Sequence, residues 1–276
     1  MRESPAAFFL RASPGQRFCV YSRPRVEAAR AAVVFVHGWA DEMNKSRRMV
    51  AQQARLLAQA GHAVLQVDLH GCGDSSGDFA DASWTGWIDD VVLATQWLLQ
   101  RHPGPLWLWG MRAGCLLAAA AASRLPVRCN FLFWQPATSG KTLLHQFLRL
   151  RAAADMQQSG GKGIVEALRQ RLHEGNHIDI AGYTLPPALG LGLEQATLVP
   201  PTQPAHIVWL EIAAREGAAV LPLSGQTIAE FRALGHHVDA QVVQGPAFWQ
   251  TQEVEDAPAL LPATLAALQS TLQSHG

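Results

Sequence analysis

Apolar and polar positions along the chain fall into two recurring patterns. Short, mainly apolar runs occur at 31–36, 63–69, 106–111, 127–134, 206–212 and 238–243. Runs of that length, bounded by turn residues, fit strands buried on both faces of a parallel sheet. Longer segments with helical spacing alternate with them. From Asn44 or Lys45 to Gln59, Met49, Gln53, Leu56 and Leu57 fall on or near one face, and Gly61 is the stop. Ser83 caps a helix to about His102, ended by Pro103-Gly104. Further helices are predicted from Cys115 to about Leu125, from Leu223 to Leu234, and from Glu255 to about Gln273. Ahead of these, 8–12 and 17–22 flank Ser13-Pro14-Gly15-Gln16 and read as a hairpin. The order predicts an α/β fold with a mostly parallel central sheet flanked by helices.

The alternation breaks between 137 and 204. Leu143, Leu144, Phe147, Leu148 and Leu150 suggest an amphipathic helix with Arg149 and Arg151 on its polar side. Ser159-Gly160-Gly161-Lys162-Gly163 reads as a flexible break, and Ile164 to His173 as a second helix. The Pro-, Gly- and Leu-rich stretch from Tyr183 to Pro204 shows little regular pattern. The expected organisation is a core of 1–136 and 205–276, with 137–204 inserted as a helical lid or cap.

Composition narrows the function classes. The 276 residues are 49% hydrophobic, enough to bury a full core. Net charge is zero and no long charge run occurs, so nucleic-acid binding through a basic face has no support. Cys19, Cys72, Cys115 and Cys129 are scattered, as reduced thiols of a cytoplasmic protein would be. The apolar patch in 1–10 is too short for a signal peptide. No uncharged apolar window reaches the length of a membrane span. The nine tryptophans read mainly as core packing.

The chemistry centres on Leu106-Trp107-Leu108-Trp109-Gly110-Met111-Arg112-Ala113-Gly114. A strand, a tight turn between two glycines and a helix form the layout of a nucleophile elbow. The serine slot of that elbow holds Arg112. Upstream, the 31–36 strand ends at His37-Gly38-Trp39, and the 63–69 strand runs into Asp68-Leu69-His70-Gly71-Cys72-Gly73-Asp74-Ser75. Together these features resemble the α/β-hydrolase superfamily over nearly the whole chain. More narrowly, the Glu42-Met43-Asn44-Lys45-Ser46-Arg47-Arg48 run, the arginine-bearing elbow and Phe248-Trp249 resemble the exosortase A system-associated hydrolase 2 family. That resemblance implies a bacterial cytoplasmic protein in an exopolysaccharide and protein-sorting context, with a fold similar to ester and thioester hydrolases.

The resemblance implies an oxyanion loop and pocket at His37, Gly38, Trp39, Met111, Arg112 and Ala113, walled by Asn44, Lys45 and Trp249. The Asp68–Ser75 loop shapes the pocket wall, and neither Ser75 nor Cys72 is read as a nucleophile. A serine hydrolase needs a nucleophile, a base and an acid that orients the base. Arg112 is always protonated and cannot attack. The base is expected within 245–249, where no histidine stands; His236 and His237 precede the last strand. Glu211 or Glu216 can fill the acid slot. The expectation is a degenerate triad, a pseudoenzyme. Cations near a helix start run against its dipole, so Lys45, Arg47 or Arg48 are candidates for anion pairing.

Three readings of Arg112 follow. It can hold an anionic or acyl-type ligand at a helix N-terminus. It can close the pocket by pairing with Glu211, Glu216 or Asp41. Alternatively, catalysis can use displaced groups such as His37 with a lid residue. A further reading is a scaffold that docks a protein partner through Leu143, Phe147 and Leu148. No cofactor or metal is expected. His173-Glu174-Gly175-Asn176-His177 matches the zinc pattern His-Glu-x-x-His, but Gly175 and Asn176 are helix-stop residues. Ser139-Gly140-Lys141-Thr142 lacks the glycine-rich cradle of a phosphate loop and reads as a helix start.

Overall fold

In the computed structural model, which describes residues 5–159 and 163–273, the hairpin is β1 (Ala6–Arg11) and β2 (Gln16–Ser22). Then come β3 (Ala32–Val36), α1 (Asp41–Gln59), β4 (Ala63–Val67), α2 (Trp84–Arg101), β5 (Leu106–Met111), α3 (Ala113–Ala122) and β6 (Cys129–Trp134). The segment after β6 carries α4 (Gly140–Ser159), α5 (Ile164–His173), a small antiparallel pair β7 (Ile178–Ile180) and β8 (Tyr183–Leu185), and α6 (Pro187–Gln195). The chain returns to the sheet with β9 (His206–Ala213), α7 (Pro222–Ala233), β10 (His237–Gln244) and α8 (Leu260–Gln273).

The main sheet has eight strands in the order β1-β2-β4-β3-β5-β6-β9-β10. β1–β2 and β2–β4 are antiparallel and every other pairing is parallel. Alternation along each strand sends side chains to two cores. Val33, Phe35, Trp107, Trp109 and Trp134 pack under α1 and α8. Val34, Val36, Leu108, Phe133 and Trp209 pack under α2, α3 and α7. The second core continues into the segment after β6 through Leu144, Leu148, Leu172 and Leu189. Eight of the nine tryptophans are buried, so their main role is packing; Trp97 is half-buried. Among the described residues no helix is long and apolar enough to cross a membrane.

Three element expectations need correction. Helix α1 begins at Asp41, not at Asn44 or Lys45. Asp41 and Glu42 favour the first turn electrostatically, and Lys45 pairs back to Asp41 at 3.0 Å. The stretch from Tyr183 is regular, forming β8 and α6. Pro187 opens α6, and Gly190 packs closely on Leu172 and Leu185, so tertiary fit overrides weak helix propensity. The last helix starts at Leu260 rather than Glu255. The expected break at 159–163 lies mostly outside the described residues.

Two buried polar features tie the core together. Arg17 of β2 pairs with Asp90 of α2 at 2.7 Å, with both side chains almost fully buried. Burial pushes the Asp90 carboxyl up, and Arg17 and the His70 amide oppose that shift. His62, at the entry to β4, is fully buried with no hydrogen-bond partner at either ring nitrogen among the described residues. Burial and nearby Arg30 push its pKa down to about 4. The folded chain therefore keeps His62 neutral, while the unfolded chain protonates it below about pH 6.5. Its stabilising contribution is complete above that pH and is lost as pH falls toward 4, by about 3 kcal/mol. Urea unfolding at pH 7 and pH 4.5 should show this loss, and His62→Leu should flatten the slope. An unchanged slope in His62→Leu would contradict the assignment.

Candidate functional site

The elbow is formed at the end of β5. Arg112 adopts φ 55° and ψ −116° and caps α3. A non-glycine residue there carries strain of about 1–3 kcal/mol. Neighbouring backbone holds it: the Arg112 amide donates to Trp134 O at 3.1 Å, and Arg112 O accepts from Cys115 N and Ala137 N. Gly114 lets α3 approach β3, because a Cβ there would lie 2.2 Å from Val36 O. The turn thus keeps its geometry without its serine.

Arg112 donates from Nε to Glu42 Oε1 at 3.0 Å, with both side chains mostly buried. The second Glu42 oxygen, Oε2, accepts from the Trp39 backbone amide at 3.1 Å. One carboxylate therefore engages both the elbow side chain and an amide of the His37-Gly38-Trp39 loop. Gly38 makes room for it, since a Cβ there would sit 3.0 Å from Glu42 Oε2. Glu42 stands in the first turn of α1, where a negative charge is favoured.

This corrects the expected partners of Arg112. Glu211 is buried in β9, and its carboxylate accepts from Trp209 Nε1 at 3.1 Å and the Leu221 amide at 2.8 Å. Glu216 is exposed, and Asp41 pairs with Lys45. In the stretch expected to carry the base, the Trp249 ring lies beside Arg112, 5.8 Å from the guanidinium carbon to the ring centroid. His37 is buried and engaged at both ring nitrogens. Its Nε2 accepts from the Leu69 amide at 3.3 Å, which places the proton on Nδ1, 2.8 Å from Gly38 O. Burial pushes its pKa down, so it stays neutral. His236 accepts from the Ala205 amide at the opposite end of the sheet.

Above the pair lies a cavity of about 610 Å³, in the size range of small-molecule sites. Of the residues expected there, Trp39, Lys45, Arg112 and Trp249 line it. His37, Gly38, Met111 and Ala113 are buried around it instead, Met111 in the core under α1 and α8. Asn44 is exposed and does not line the cavity, whereas Tyr183 does. Sequence reasoning missed Glu42 as the counter-ion, although it quoted the Glu42–Arg48 run. It also missed the wall supplied by Gln146, Ala181, Tyr183 and Gln250. Trp39, Phe147 and Tyr183 form an edge-to-face series, with centroids 5.8 and 6.4 Å apart. Leu143, Phe147 and Leu148 are buried, so they do not form a surface for docking a partner.

Charge around the cavity is balanced. Arg112 has Glu42, and Lys45 has Asp41. Outside the cavity, Arg47 pairs with Asp68 and Arg48 with Asp256, each at 2.8 Å, so with Lys45 the three cations near the start of α1 are all paired. The terminal nitrogens of Arg112 meet no acceptor among the described residues and are not sealed from solvent. A carboxylate on that open edge would gain about 4 kcal/mol from the guanidinium roughly 4 Å away. It would lose about 3 kcal/mol to Glu42 roughly 6 Å away, at an effective dielectric near 20. The remainder, about 1 kcal/mol, matches an ordinary neutral hydrogen bond.

The remaining motifs are structural. Asp68 Oδ2 accepts from the Asp74 amide, while Ser75 Oγ donates to Asp68 O and accepts from the Phe18 amide. Burial pushes the Cys72 thiol up, away from a reactive thiolate. Helix α5 stops at His173, which pairs with Glu194, and the described residues hold no metal-binding cluster. Gly140 packs against α6, where a Cβ would lie 1.9 Å from Leu193 O, leaving no phosphate cradle.

Comparison with known proteins agrees with the fold. Residues 27–159 match the family model described as Serine aminopeptidase, S33. Human Protein ABHD12B is 29% identical over 108 residues, 39% of this chain, and the match spans only 28% of that protein's length. Alpha/beta hydrolase domain-containing protein 10 from mouse shares the fold at 19% identity and TM-score 0.59, covering 97% of this chain and 99% of that one. Est1E from Butyrivibrio proteoclasticus does so at 14% identity and TM-score 0.61, covering 97% and 98%. XC6422 from Xanthomonas campestris, described as an α/β serine hydrolase without lid, does so at 15% and 0.57, covering 98% and 96%. The chain has the α/β-hydrolase fold, and its residues 27–159 are similar to the serine aminopeptidase family model.

The Arg112–Glu42 pair should be energetically coupled. A double-mutant cycle of Glu42→Gln and Arg112→Met, read by urea unfolding, should give about 1–3 kcal/mol of coupling. Additive single-variant effects would contradict the pairing.

Proposed function

We propose that this chain is a catalytically silent α/β-hydrolase-fold protein that binds an acyl-type small molecule in the cavity over Arg112. In this reading residues 137–204 act as the lid or cap that chooses the ligand. The observation that carries it is the Glu42 carboxylate, held between Arg112 Nε and the Trp39 amide. It takes up a donor that an oxyanion would need, at an elbow that has no nucleophile. The absence of a histidine at 245–249, and the two hydrogen bonds that engage His37, support the same reading. Resemblance to the exosortase A system-associated hydrolase 2 family adds a bacterial cytoplasmic setting near exopolysaccharide and protein-sorting machinery. Balanced charge favours the acyl half of the sequence expectation over the anionic half.

Turnover of short p-nitrophenyl esters and acyl thioesters tests this directly. The wild-type chain should show no rate above buffer. Arg112→Ser should not restore one, since a serine without a base gains little beyond binding and the oxyanion hole. A robust wild-type rate, surviving both Arg112→Ser and Arg112→Ala, would move the active site elsewhere and end the silent reading.

A further inference from the structure

The base of the cavity holds two cations and two anions, already matched as Arg112–Glu42 and Lys45–Asp41. A guanidinium carries five N–H donors in a planar fork. Arg112 spends Nε on Glu42, while its terminal nitrogens remain open to the cavity without an acceptor among the described residues. The site therefore presents donors but no surplus positive charge. A bound carboxylate would add an unmatched negative charge beside Glu42 and Asp41 and would be desolvated to do so. A bound ammonium would meet Arg112 and Lys45. An uncharged acceptor meets neither penalty. Above these donors, Trp39, Phe147, Tyr183, Leu150 and Trp249 offer an aromatic and aliphatic wall.

We infer that Glu42 makes the cavity select uncharged carbonyl compounds over carboxylates. The occupant is an acyl ester, thioester or amide, whose carbonyl oxygen accepts from the terminal nitrogens of Arg112 and whose acyl or aryl body lies along the aromatic wall. Glu42 is thus a specificity residue: by matching the charge of Arg112 it leaves the arginine as a hydrogen-bond donor rather than an anion trap. This rests on the binding reading above and adds the charge class of the ligand.

Isothermal titration of the full chain with octanamide, methyl octanoate and octanoate tests it. The wild type should bind the amide and the ester at least tenfold tighter than the carboxylate. Glu42→Gln keeps an acceptor for the Trp39 amide but removes the counter-charge. It should improve octanoate binding at least tenfold and reverse the order. Arg112→Met should weaken amide and ester binding and leave octanoate still disfavoured, because Glu42 then stands uncompensated. Octanoate binding to the wild type as tightly as octanamide, or an unchanged order in Glu42→Gln, would overturn the inference. The wild-type series decides even if a variant fails to fold. No binding of any probe would overturn both this inference and the binding reading. Hydrolysis of methyl octanoate with the amide preference intact would remove only the claim of catalytic silence.

Discussion

A permanently charged guanidinium at the N-terminus of α3 is an arrangement that most of the site answers to. Backbone amides and the helix dipole already make that position positive, and Arg112 adds a full charge. Left alone, the two would repel in a mostly buried setting. Glu42 resolves this from α1, where its own helix start favours a carboxylate. Its two oxygens span Arg112 and the Trp39 amide, so a single group engages both the elbow and the His37-Gly38-Trp39 loop. The strained backbone at Arg112, the close approach at Gly114 and the space left by Gly38 all serve that contact.

Most of the fold was legible from the chain. Strands buried on both faces leave unbroken apolar runs, and the Gly-x-Arg-x-Gly turn follows from a packing distance that excludes a Cβ at Gly114. What stayed hidden has a common physical character. Helix α6 owes its existence to packing around small residues, which carries no periodic signal. The start of α1 at Asp41 lacks a side-chain cap, so no local marker announces it. Glu42 and Arg112 lie 70 positions apart, and the choice among nearby carboxylates depends on where each helix begins. Placing the α1 start three residues late puts Glu42 outside the helix and turns attention to Asp41 instead. Glu211 looked available in sequence because nothing local reveals that Trp209 and the Leu221 amide already use it.

The cavity joins two parts of the chain. Its base comes from β5, α1 and the His37-Gly38-Trp39 loop, the parts shared with hydrolases in geometry. Its wall comes from the segment after β6, through Leu143, Gln146, Phe147, Ala181 and Tyr183. In a working hydrolase such a wall chooses which substrate reaches the nucleophile. Here the same wall stands over an ion pair. The proposed reading follows from that combination: a recognition wall over a fixed polar floor.

The most direct measurement of that claim is covalent labelling by a fluorophosphonate, read by intact mass. An activated serine in a hydrolase site attacks such a reagent, whereas a floor made of Arg112 and Glu42 offers nothing to do so. The account predicts an unmodified chain at concentrations and times that fully label an active serine hydrolase control. A stoichiometric adduct on any serine, lost on heat unfolding before treatment, would contradict it.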